Sequence, residues 1–105
     1  MAVPSTPLFG NPTRVTADVA IKASAGKLWG VMIEGGTESD GTSIDFYNHA
    51  ESATGSIVFG VSAPVVGKGQ STVIINLIPF GGIDFSTGIW ADWQGTGCVA
   101  YVWFS

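Results

Sequence analysis

The chain has 105 residues, long enough to build one domain with a real core and too short to split into two. Charged residues make up 11% against roughly 25% in an ordinary soluble domain, and hydrophobic residues reach 46%, so part of the apolar surface is expected to be hidden by other subunits. With 4 Lys and Arg against 8 Asp and Glu, the net charge of -4 provides no basic stripe for nucleic-acid phosphates or an anionic membrane, and neither is expected as a direct partner.

The first segment, Met1 to Thr13, carries Pro4, Pro7 and Pro12 around the apolar pair Leu8 and Phe9. Proline disfavours both helix interiors and central strands, so residues 1–13 read as an extended arm and residues 14–105 as the folded domain. Leu8 and Phe9 would be left wet on a frayed end, and are therefore candidate contacts with a neighbouring chain. The segment has no basic start followed by an apolar run, so it does not read as a secretory signal. No unbroken apolar stretch approaches the roughly 20 residues needed to cross a bilayer as a helix. Cys98 is the only cysteine, which excludes an internal disulfide and fits a reducing site of synthesis, so the protein reads as made soluble in a cytosol.

From Arg14 to Lys22 the residues Val15, Ala17, Val19 and Ile21 alternate with more polar ones, the period-two signature of one half-buried strand. After a turn at 23–26, the segment Lys27 to Glu34 is apolar on both parities, which suits a central strand covered on both faces. Gly35 to Thr42 is a polar loop; Glu34, Glu38 and Asp40 gather near it, but without the spacing of a calcium loop, so no metal is expected. Further strands are expected at 43–48, 55–61, 71–77, 87–93 and 98–104, separated by turn signals around Gly55, Pro64 with Gly67 and Gly69, Pro79 with Gly81 and Gly82, and Gly95 with Gly97. No helical window survives the β-branched, aromatic and glycine residues. The pattern predicts an all-β domain, an antiparallel, jelly-roll-like β-sandwich of roughly seven or eight strands.

Catalytic equipment is sparse. The single imidazole, His49, lies at a strand end or turn, and Cys98 opens an apolar strand where a buried, inert thiol is expected. Asp45, Asp84 and Asp92 are carboxylates of the right type for glycoside hydrolysis, yet nothing in their spacing pairs them. One Cys and one His do not make a zinc site, and the glycine-rich stretches lack phosphate-binding patterns. The chain is read as a non-enzyme without cofactors.

The aromatic payload is the feature that asks for an explanation: Trp29, Trp90, Trp93 and Trp103 with Tyr47, Tyr101 and several Phe. Alternation from Thr87 to Trp93 places Trp90 with Asp92 on one face and Ile89, Ala91 and Trp93 on the other. One face packs inside, and the other, with Trp90 and Asp92, is a candidate contact with a neighbour. An exposed Trp near Asp, Asn and Gln also suits a sugar, so a carbohydrate-binding or receptor-adhesion module is the alternative, with Asn48 or Gln94 as candidate amides.

The segments 25–33 (AGKLWGVMI) and 83–104 (IDFSTGIWADWQGTGCVAYVWF), with the turn Ala53-Thr54-Gly55 between them, resemble a group of small virion proteins of tailed bacteriophages, including cyanophages. The resemblance spans roughly Arg14 to Phe104 as a pattern of turns and strands. It implies a capsid decoration or cement subunit on the virion exterior, or else a head-fibre, neck or tail subunit. Such a protein would be made in the host bacterial cytoplasm, and its partners would be copies of itself, a trimer by family analogy, and the major capsid protein or another virion protein.

Overall fold

Period-two burial runs through most strands of the computed structural model, which describes residues 12–34, 42–63, 72–95 and 98–105. In chain order these carry β1 (Thr13–Val15), β2 (Val19–Lys22), β3 (Gly26–Glu34), β4 (Thr42–Tyr47), β5 (Ile57–Ala63), β6 (Thr72–Asn76), a 3-10 turn (Ile78–Phe80), β7 (Ile83–Phe85), β8 (Ile89–Gln94) and β9 (Val99–Phe104). One sheet has the order β1-β9-β3-β6, with β7 also paired to β3, and the other has the order β2-β8-β4-β5. All pairings are antiparallel. Apart from β7 the strands pair from the ends inward: β1 with β9, β2 with β8, β3 with β6 and β4 with β5. This is one long antiparallel ribbon, turned at the β4–β5 connection and rolled so that its rungs fall alternately in two sheets. The expected jelly-roll-like sandwich is the observed fold.

The core lies between the sheets. Val15, Leu28, Val31, Ile33, Ala100 and Val102 from the first meet Ile21, Ile44, Phe46, Val61, Ile89, Ala91 and Trp93 from the second in one contiguous cluster. Trp29 is buried but stands outside that cluster. The register of β3 on β9 slips between Leu28 and Gly30, and a bulge of this kind re-aims the extra side chain. Its indole N–H donates to Ser105 Oγ at 2.8 Å, and the Lys27 ammonium lies 5.4 Å from the ring centre.

Two elements differ from the sequence reading. The single strand expected over 14–22 is two strands in different sheets, joined by a bend at Thr16–Asp18. The alternation of residue types runs through the bend but burial does not follow it: Val15 and Ile21 are inside, while Ala17 and Val19, expected on the same face, are exposed. Strand β7 falls where the sequence predicts only turn signals, between the strands expected at 71–77 and 87–93. It takes the first part of one β3 edge, opposite Gly26 to Leu28, while β6 takes the remainder, opposite Gly30 to Glu34. The 3-10 turn between them starts with the Asn76 side chain accepting the Ile78 N–H at 3.0 Å, and it ends on Gly81 and Gly82 at φ 79 and 78, a backbone that favours glycine. The expected arm lies outside the described residues except for Pro12 and Thr13, and Thr13 already pairs with Val102.

Candidate functional site

Cross-strand register assembles the outer face of the β2-β8-β4-β5 sheet. Trp90 stands opposite Ala20 on one side and Tyr47 on the other, and Tyr47 stands opposite Ile57. Directly opposed side chains have Cβ atoms about 5 Å apart, so Trp90 and Tyr47 form one half-buried aromatic row beside the small Ala20. The next row pairs Asp92 with Asp45, and Asp45 with Gly60. A Cβ on Gly60 would sit 2.6 Å from Asp45 Oδ1, which shows the carboxylate leaning over that glycine. The third row is neutral and polar: Gln94, Ser43 and Ser62.

The expected grouping of Trp90 with Asp92, and of Ile89, Ala91 and Trp93 on the buried side, is what the strand shows. Asp18 is an addition that the sequence did not reveal. It lies in the bend before β2, and its Oδ1 accepts the Trp93 N–H at 2.7 Å, standing in for a strand where β2 has ended. Burial raises the Asp92 pKa above its ordinary 3.8, and the neighbouring charge and hydrogen bond of Asp18 and then the charge of Asp45 add to that.

A carboxyl whose folded pKa is raised favours its protonated form in the fold, so it costs stability as pH rises from 3.8 through the folded value. Asp92→Asn is therefore expected to raise the melting temperature at pH 7, with the gain fading as pH falls through the folded value and absent below 3.8. Thermal scans of both proteins from pH 3 to 7 check this, and an equal or lower melting temperature for the variant at pH 7 would contradict it.

The other candidates are dispersed. Of the glycosidase-type carboxylates, Asp45 and Asp92 are side by side, whereas Asp84 lies in the other sheet and ion-pairs with Lys27 at 3.3 Å. Asn48 is not an amide of the aromatic face. Its Oδ1 accepts the N–H of Thr87 at 2.8 Å and of Gly88 at 3.4 Å, and its Nδ2 donates to Ser86 Oγ at 2.9 Å, tying the end of β4 to the turn before β8. His49 caps its own turn, with Nδ1 accepting the N–H groups of Glu51 and Ser52 at 3.0 and 3.1 Å. Cys98 is buried beside the first residue of β4, and Thr42 Oγ1 donates to its sulfur at 3.1 Å, so β4 separates it from His49. Among the described residues no group of three or more His, Cys, Asp or Glu could hold a metal ion, and no helix is long and apolar enough to cross a membrane. Leu8, Phe9, Glu38 and Asp40 lie outside the described residues.

The chain matches no protein-family model, no curated protein and no solved structure.

Proposed function

We propose that the protein is a non-enzymatic structural subunit of a phage virion, a capsid decoration or cement protein that binds the outer shell as a homo-oligomer. One flank of the sandwich carries this reading. The edge strands β5 and β6 approach each other there, each paired on one side only among the described residues. Beside it apolar side chains stand in solvent, Ile57 at 51% and Val58 at 41% in β5 and, on the outer face of the other sheet, Ile74 at 61% in β6, with Phe80 at 81% in the following turn. An unpaired strand edge with exposed apolar groups is a template for another chain, and natural monomers usually blunt such edges with charge, proline or a covering loop. On the opposite flank a bend at 16–18 joins the edge strands β1 and β2, Asp18 caps one N–H of β8, and Val19 of β2 is the one large apolar side chain exposed among the described residues of these two strands. Jelly rolls recur in viral capsid proteins and in lectins, which supports assembly by fold analogy.

Sedimentation equilibrium at micromolar concentration tests the oligomer, with masses at multiples of 10.9 kDa expected and a clean monomer counting against it. Mass spectrometry of purified virions tests the location, and a fixed copy number relative to the major capsid protein is the expected result.

A second reading is favoured by the outer face itself. Trp90 and Tyr47 in one row, with Asp92, Asp45 and Gln94 in the next two, suit a sugar ring stacked on the indole and its hydroxyls held by carboxylate and amide. Under it the protein is a carbohydrate-binding or receptor-adhesion module of a phage fibre.

A further inference from the structure

We propose that a cleft at one end of the sandwich, remote in function from the apolar flank, binds an oxyanion: the carboxylate or phosphate group of a small molecule. The cleft holds about 530 Å³ and opens between the two sheets, where β2 and β4 end in one and β3 begins beside the end of β7 in the other. That volume falls in the range of roughly 300–1,000 Å³ usual for small-molecule sites.

Several of its polar side chains are donors. Lys22 and Lys27 border it, two of the 4 cations in a chain of net charge -4. Both stems lie over glycines: a Cβ on Gly26 would meet Lys22 Cδ at 2.8 Å, and one on Gly82 would meet Lys27 Cγ at 2.7 Å. Lysines laid down in this way lose less rotamer freedom when an anion is bound. Lys22 has no ion pair among the described residues. Lys27 is paired with Asp84, whose side chain is 84% exposed, and an ion pair so open to water contributes little and exchanges readily.

Ser86 and Asn48 complete the set. Ser86 Oγ accepts the Asn48 amide, so its own O–H is left to donate. The Asn48 carbonyl accepts two backbone N–H groups, which fixes the amide orientation and leaves the second Nδ2 hydrogen as a further donor. Ser105 also lines the cleft, but its carbonyl oxygen accepts the Lys27 N–H at 3.0 Å. Ammonium, hydroxyl and amide donors around one space, with the Asp84 carboxylate competing for one of them, suit an oxyanion.

The test is a two-dimensional amide NMR titration with inorganic phosphate, and separately with acetate, at an ionic strength held constant with sodium chloride. Saturable shifts confined to residues 22–27, 47–49, 84–88 and 105 are expected, and the tighter of the two anions names the source. Removing one charge-assisted partner is expected to weaken binding about tenfold in Lys22→Gln, with Lys27→Gln as the second variant. Asp84→Asn is expected to tighten it, because the competing carboxylate is gone. No saturable shift with either anion, unchanged affinity in both lysine variants, or weaker binding in Asp84→Asn would overturn the proposal.

Discussion

Ile74→Lys and Phe80→Asp are each expected to leave the fold intact and to weaken self-association and binding to stripped capsids about thirtyfold or more. Both side chains are largely in solvent, at 61% and 81% exposure, and substitutions at such positions usually change stability by no more than about 0.5 kcal/mol. Once covered by a partner they become buried anchors, and truncating an anchor of that kind typically costs upwards of about 2 kcal/mol in affinity. A charge placed there adds desolvation to the loss. Unchanged sedimentation and capsid binding in both variants would remove the flank from the interface and the main support from the assembly reading. A glycan array run with the parent and with Trp90→Ala separates the second reading. The assembly reading expects an empty array for both, whereas specific glycan binding by the parent, lost in the variant, would put adhesion in its place.

Phe46→Ala is expected to destabilise the fold by about 3–5 kcal/mol, a large part of the roughly 5–15 kcal/mol that holds a typical domain together. Phe46 is wholly buried in β4, opposite Ala91 of β8 on one side and Phe59 of β5 on the other, and Ala91 is too small to close a void left by the ring. Phe46→Leu keeps most of the volume and should cost under about 1.5 kcal/mol. Urea unfolding monitored by tryptophan fluorescence reads both, and a loss for Phe46→Ala no larger than that for Phe46→Leu would show that the centre of the sandwich can collapse around the gap.

Turn signals made much of this legible. Strands β4, β6, β8 and β9 lie close to the segments set off between them, and β3 is a central strand of its sheet. Alternation put Trp90 and Asp92 on one face without knowledge of what lay beside them. Pairing was not legible. Tyr47, Asp45 and Asp18 join Trp90 and Asp92 through the registers of β4 and β2 on β8, and register is a property of two distant segments, absent from the spacing within either. The Thr16–Asp18 bend is hidden because Ala17 and Val19 keep the alternation of residue types through it, although both are exposed. Strand β7 was hidden because three residues after Pro79, Gly81 and Gly82 are too few to outweigh those turn signals. The lysines of the cleft come from β2 and β3, adjacent in sequence but in opposite sheets, and no motif marks their convergence.

The end-inward pairing of the ribbon also fixes the order in which the fold can be completed during synthesis. The β4–β5 rung joins strands close in sequence, and each rung outside it encloses a longer stretch of chain, up to Thr13 against Val102. Strand β9, the last of the described strands in chain order, belongs between β1 and β3, so until it is made β1 has no partner in the sheet and β3 is paired only with β6 and β7. The nascent chain can close its central hairpin early, but part of its apolar inner face stays open until β9 is made, the kind of delayed long-range pairing that makes β-rich domains slow to fold and exposed to aggregation on the way.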